Sequence, residues 1–205
     1  MKPKWWNKSK RYISKRDRVM KNLLKHYKGH LTTRNNFFYS LTRSIISQQI
    51  SVSAADSVFL KFEKKCKGKI KPKTVSRLTI SDLRRCGLSR MKALGIKSLA
   101  NKILDKSFNP KLIKKMSDED AINYLSSLRQ IGRWSSEMVL IFFYNRQNIW
   151  PVQDIGLLRA ISNNYKKKYL PPKSFVNKLR KRFSPYCTLA VMALWYSVDN
   201  EPVQY

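Results

Sequence analysis

The chain has 205 residues, with 43 lysines and arginines against 12 acids, for a formal charge of +31. That length allows one large domain or two small lobes with a real core, and a hydrophobic share of 42% excludes a disordered tail. The charge does not suit an ordinary soluble enzyme and favours a polyanion, nucleic acid before a membrane surface. A lysine-biased proteome is the competing source of part of that charge.

No apolar run reaches the ~18 residues a membrane-spanning helix needs. Residues 1–18 are basic but lack an apolar core, so they do not read as a secretory signal. Cys66, Cys86 and Cys187 are odd in number and far apart. None has metal-ligand spacing, and no four-cysteine set exists for an iron–sulfur cluster. Reduced, structural cysteines in a cytoplasmic protein are expected.

In chain order, Lys2 to Arg34 holds 12 lysines and arginines and one acid, Asp17. It reads as a basic arm, 1–35, partly helical and packing through Val19, Leu23 and Leu24. Phe37, Leu41, Ile45 and Ile46 share one face of a helix ending near Gln49, and a helix resumes over 54–62. A turn over 68–72 follows. Ser81 reads as the cap of a short helix ending at Gly87, and Ser89 as the cap of one running to about Leu104. Ser117 starts another, with acids at its positive end. Gly132 breaks it, and an apolar helix covers 134–144. Asp154 precedes a helix over 155–161. Pro171 and Pro172 mark a turn, a basic amphipathic helix spans 174–182, and a final apolar helix runs from Pro185 to about Val198. Strand alternation is nearly absent, so the expected class is all-α, with no internal repeat.

The segment 121–139 carries the first functional signal. Ile122, Leu125 and Leu128 lie on one helix face, Arg129, Gln130, Ile131 and Gly132 form a tight turn, and Met138, Ile141 and Phe142 define a second face. Such a turn aims backbone N–H groups and a helix N-terminus at one spot suited to a phosphate. An ordinary helical hairpin would read the same way. The second signal is Asp154, the only acid between Glu137 and Asp199. Taken alone, it reads first as an N-cap of the helix that follows.

Four blocks in order resemble a known family. They are "LTRSIISQQISVSAA" (41–55), "CGLSRMKALGIKSLA" (86–100), "QIGRWSSEMVLIFFYNRQNIWPVQDIGLLRAI" (130–161) and "FSPYCTLAVMALWY" (183–196). Together they resemble the helix-hairpin-helix (HhH-GPD) DNA glycosylase superfamily, nearest the 3-methyladenine DNA glycosylase II type. The resemblance covers roughly 20–198.

The resemblance implies two packed helical lobes with a helix-hairpin-helix motif and a DNA-binding cleft between them. Lobe one would be about 20–105 plus the C-terminal helix 185–198, and lobe two about 106–182, within a glycosylase domain at 36–198. About 35 residues precede the first block, too few for the extra N-terminal β domain some relatives carry. Asp154 falls on the catalytic aspartate, where a carboxylate would stabilise the oxocarbenium-like sugar. Members that also cut the backbone carry a lysine at the position of Trp134, so its absence implies a monofunctional enzyme. Trp134, Tyr186 and Met138 would line the base pocket. For Trp195, plain core is the favoured reading.

Gln48 and Gln49 fall where the family inserts a wedge into the stack as the base leaves it. A pair of surface amides is the competing reading. Arg129, Gln130, Ile131, Gly132 and Arg133 would bind the DNA backbone, with Gln130 standing where the family usually has glycine. Cys187 replaces a frequent arginine. The carbonyls of Ser126, Leu128 and Ile131 would hold a Na+ or K+ ion, and no other cofactor is implied. His26 and His30 share a helical spacing but have no further ligand nearby. The expected protein is a monomer, associated with the nucleoid, that removes alkylated purines from damaged double-stranded DNA. Two alternatives remain at this stage: a non-catalytic DNA- or RNA-binding protein, and a glycosylase for uracil or an oxidised purine.

Overall fold

Helix starts in this chain are written locally, as small polar residues that answer orphan N–H groups. The computed structural model describes residues 2–32 and 34–199, and the regular structure among them is entirely helical. Asp17, Asn36, Ser51, Ser89 and Ser117 each accept a backbone N–H near the start of the helix they precede. The helix expected behind Ser81 is instead Ile80–Arg85. Thr79 caps it, and Asp82 completes a reciprocal capping box. Ser81 was a plausible cap by type, but only Thr79 has an acid three residues on to bond back to its own N–H.

Two compact units are present, Arg34–Val139 in one and Met1–Thr33 with Leu140–Gln204 in the other. The division differs from the lobes read from the sequence, 20–105 with 185–198 against 106–182. Residues 106–139 group with 34–105, and 185–198 group with 140–182 and the arm. The arm is two full helices, α1 (Trp6–Arg16) and α2 (Arg18–His26), that bury Trp6, Ile13, Met20 and Leu24. Of the expected anchors only Leu24 is buried; Val19 and Leu23 are half-buried.

The unit 34–139 contains α3 (Phe37–Ser47), α4 (Val52–Lys65), the short α5 (Pro72–Val75), α6 (Ile80–Arg85), α7 (Arg90–Leu104) and α8 (Asp118–Ser126). A 3₁₀ turn, Pro110–Lys115, precedes α8, and most of α9 (Arg133–Phe142) lies in this unit. Helix α3 packs against α4 and α7 through Leu41, Ile45 and Ile46, all buried. A stack of Phe37, Phe108 and Tyr124 leads toward α8.

The other unit joins the arm to α10 (Ile155–Asn164), α11 (Lys173–Phe183) and α12 (Cys187–Asp199). Helix α12 is its centre. Leu189 to Leu194 are all buried, and α1, α2, α10 and α11 pack on it. Tyr12 donates to the Ser184 carbonyl at 2.6 Å and Trp5 to the Asn145 carbonyl at 3.1 Å, so the arm is fastened by specific bonds as well as by burial. No helix among the described residues is long and apolar enough to cross a membrane.

Candidate active site and nucleic-acid interface

The hairpin is built within the unit 34–139. Helix α8 ends at Ser126, and the chain reverses over 127–132 before α9 begins at Arg133. The Ile131 N–H closes the turn on the Leu128 carbonyl at 3.1 Å. Gln130 takes φ +69°, the left-handed conformation for which glycine is the default residue. The hairpin geometry is thus kept without glycine there, at a backbone cost on the order of 1 kcal/mol.

Three contacts hold the turn. Ser136, fully buried, bonds Ser126 and the Gly132 carbonyl, each at 3.0 Å. Gly95 on α7 lets the turn approach; a Cβ there would sit 2.8 Å from Gln130 Cγ and 3.2 Å from the Arg129 carbonyl. Gln48 donates its amide to the Gln130 carbonyl at 2.9 Å and to Ser135 Oγ at 3.2 Å. Of the two glutamines, Gln48 is therefore a brace for the hairpin. Gln49 is exposed with φ +57°, next to exposed Ile50. Lys92 caps the end of α3 by donating to the Ile46 and Gln48 carbonyls, and burial lowers its pKa. The tip that displays Gln49 is thus anchored at its base.

At the surface of the hairpin, Arg129 and Gly132 are exposed. The N–H groups of the first turn of α9 have no partner within that helix and supply partial positive charge. Arg133 is already engaged. It holds Glu119 through two bonds of 2.6 and 2.9 Å and lies 3.4 Å from Glu137. The Glu119 hydrogen bond raises the guanidinium pKa further. Trp134 follows, half-buried, whereas Met138 is only 1% exposed and offers no surface to a base in this conformation.

Asp154 is positioned in the other unit. Thr188 receives the Ile149 N–H at 3.0 Å and donates to the Arg146 carbonyl at 2.6 Å, pinning the approach segment to α12. The Asp154 N–H turns back to the Pro151 carbonyl at 3.0 Å. Its side chain caps α10, with Oδ1 accepting the Leu157 N–H at 2.6 Å. The same oxygen accepts the indole N–H of Trp195 at 2.8 Å. Trp195 is buried and stacks nearly parallel on Phe142. Gly156 leaves room for the pair, since a Cβ there would lie 3.2 Å from Asp154 Oδ1 and 3.5 Å from the indole. Asp154 is itself half-buried, between the exposed apolar residues Val152 and Ile155.

Cap and held carboxylate are therefore the same group. The sequence reading of Trp195 as core accounts for its burial but not for its N–H, and periodicity alone carries no signal for that partner. Tyr186 is largely buried, edge-on to Tyr12 at 5.1 Å. Cys187, Cys66 and Cys86 are all free and buried. Burial pushes the Cys187 thiol up to about 12, and its Sγ donates to the Arg180 carbonyl. Among the described residues no group of three or more His, Cys, Asp or Glu side chains is placed to hold a metal, and α2 ends at His26, so His30 does not follow it on the same helix.

Residues 42–185 match the HhH-GPD superfamily base excision DNA repair protein model. The chain is 32% identical over 162 residues to the alkylbase DNA glycosidase-like protein mag2 of Schizosaccharomyces pombe, covering 77% of this chain and 76% of that one. It is 29% identical to DNA-3-methyladenine glycosylase 1 of the same yeast, covering 77% and 71%. Among solved structures, the S. pombe 3-methyladenine DNA glycosylase Mag1 in complex with abasic DNA superimposes with a TM-score of 0.82 at 26% identity, covering 97% of this chain and all of that one. A braced helix-hairpin-helix turn, a carboxylate capping the helix that follows it, and a family match over most of the length place this chain in the HhH-GPD superfamily of base excision DNA repair proteins.

Proposed function

We propose that the chain is a monofunctional DNA glycosylase that hydrolyses the N-glycosidic bond of alkylated purines in double-stranded DNA. The observation that carries this reading is the Asp154 carboxylate, held by the Leu157 N–H and the Trp195 indole. Names of relatives as 3-methyladenine DNA glycosylases support the substrate class.

In this mechanism the bond between C1′ and the purine nitrogen breaks, and its electron pair leaves with the base. Alkylation has already made the purine electron-poor, which eases that departure. Positive charge develops on the sugar, where the Asp154 carboxylate stabilises it. Water then adds to C1′ and loses a proton to the carboxylate or to solvent. By the resemblance, Trp134 occupies the position where members that also cut the backbone carry a lysine, so the expected product is an intact abasic site.

The remaining roles follow the same reading. By the resemblance, Trp134, Tyr186 and Met138 are the residues that meet the base, and an aromatic face attracts a cationic base by ~0.5–2 kcal/mol. Gln49 fills the gap left by the extruded base, at a tip anchored through Gln48. The hairpin, from Arg129 to Arg133, seats a phosphate on its N–H groups. The carbonyls of Ser126, Leu128 and Ile131 suit a Na+ or K+ ion, since the Leu128 oxygen uses one lone pair on Ile131 and keeps another. Bound there, the ion would add positive charge beneath the phosphate; base removal itself requires no cofactor. The protein works as a monomer on nucleoid DNA.

The test is a duplex carrying one 1,N6-ethenoadenine or 3-methyladenine-type lesion, given to wild type and Asp154→Asn. Strand cleavage only after hot alkali, lost in the variant, is the expected result. Cleavage without alkali would remove the monofunctional assignment. Tight, salt-sensitive DNA binding with no release from alkylated, deaminated or oxidised bases would replace the enzyme with a non-catalytic DNA-binding protein.

A further inference from the structure

The arm holds a dense positive charge whose partner is not accounted for by hairpin or carboxylate. Residues 2–32 contain 11 lysines and arginines and one acid, Asp17. That acid is turned inward. Its side chain is buried and accepts from the Met20 N–H at 2.9 Å, the Tyr165 hydroxyl at 3.0 Å and Arg182 at 2.6 Å. The outer surface of the α1–α2 elbow is left with positive charge alone.

An open cavity of about 740 Å³ lies at this elbow, bordered by Lys15, Arg16, Arg18, Lys21, Asn22 and Lys25 as well as by Asp17 itself. All five of those cations are exposed. Arg18, Lys21 and Lys25 follow one another at helical spacing on α2, about 5–6 Å from one to the next. The opposite face of α2 buries Met20 and Leu24. Arg16 is stacked 3.5 Å from the centre of the Tyr12 ring, and Tyr12 is itself bonded to Ser184. These cations therefore stand on a docked scaffold and not on a loose tail.

We propose that the α1–α2 elbow is a second docking surface, on the unit that carries Asp154, for the sugar–phosphate backbone of duplex DNA. A row of cations whose one neighbouring acid is already paired with Arg182 suits a run of phosphates, each contact releasing a condensed counterion. A membrane surface fits poorly, because an interfacial helix needs apolar side chains beside its charges and this cavity is lined by charged and polar groups only. The choice of DNA as the polyanion rests on the glycosylase reading; the surface itself does not.

The test uses the full chain and an undamaged duplex. Lys15, Arg18, Lys21 and Lys25 are changed together to Gln, sparing Arg16 because of its stacking. A charge-matched control changes Lys61, Lys64, Lys69 and Lys73, exposed residues of the other unit, to Gln. Affinity is measured against salt concentration. The elbow variant is expected to bind on the order of tenfold more weakly, with a log–log salt slope shallower by about two to four, and the control to change less than half as much. Equal losses in both variants would reduce the effect to net charge and overturn the proposal, as would an unchanged slope. Base release at saturating protein is read separately. Elbow-dependent DNA binding without base release would remove the catalytic reading and leave this surface standing, and the converse would remove only the surface.

Discussion

Trp195 on α12 donates its indole N–H to the same Asp154 oxygen that caps α10, at 2.8 Å. The ring cannot turn away freely, because it is buried and stacked on Phe142. The carboxylate is thus held from two directions before any substrate arrives, as electrostatic preorganisation requires. Trp195→Phe keeps the ring and removes the donor. A hydrogen bond to a charged group contributes about 1.5–3 kcal/mol, and only part of that belongs to the transition state. Single-turnover base release at saturating protein is expected to slow by about tenfold, the equivalent of ~1.4 kcal/mol, with DNA affinity unchanged. A normal rate in the variant would leave Trp195 a core residue only.

Gly95 is expected to resist substitution because of what faces it. In Gly95→Ala the new methyl would lie 2.8 Å from Gln130 Cγ and 3.1 Å from its Cβ. Overpacking of this kind costs about 1–3 kcal/mol, and here it would displace the hairpin. Gln130→Gly removes both crowding atoms and suits φ +69° better. Thermal denaturation and duplex affinity should fall in Gly95→Ala and recover in large part in the double variant. Failure of the second change to rescue would mean that the Arg129 carbonyl, at 3.2 Å, is the true obstacle.

On the proposed reading, Glu119 would compete with a DNA phosphate for Arg133. Both guanidinium nitrogens bonded to it are at short distances, on a pair that is partly exposed. Glu119→Gln is expected to tighten binding to undamaged duplex several-fold and to steepen the salt slope by about one, as for one added phosphate contact. Electrophoretic or anisotropy titrations at several salt concentrations would measure it. An unchanged slope would show that Arg133 serves the fold and not DNA.

Alkaline pH should destabilise the protein through buried acids that ionise more easily once unfolded. Burial pushes the Cys187 thiol from an ordinary 9.0 to about 12 and the Tyr27 hydroxyl from 10.0 to about 12. Both pKa values are raised on folding, so the stabilisation is complete below about pH 9 and is lost as pH rises from 9 toward 12. The melting temperature is expected to fall across that window. Cys187→Ala should flatten part of the fall, at the cost of a lower melting temperature near neutrality.

How much was legible before the structure differs from residue to residue. Ser89 and Ser117 were readable as caps because capping is decided within a few residues. Ser81 was misplaced by two positions because two hydroxyl residues on either side of Ile80 compete there, and only the bond back from Asp82 separates them. Asp154 was readable as a cap, and the structure shows that bond; its role as the functional acid is what the resemblance implies. Gln48 and Gln49 looked alike in the chain. The structure separates them, since Gln48 bonds a carbonyl 82 residues away and Gln49 stays exposed.

The sequence by itself determined the all-helical class, the order of the helices, the hairpin and the lone carboxylate. Those features depend on periodicity, local caps and the scarcity of acids, all of which act over short stretches of chain. Tertiary structure alone decided that the basic arm docks as two helices on α12, that Trp195 and Gly156 shape the surroundings of Asp154, and that Arg133 is bound to Glu119. Each of these rests on where an N–H, a Cβ or a carboxylate meets a group distant in sequence, and no local pattern records such a meeting.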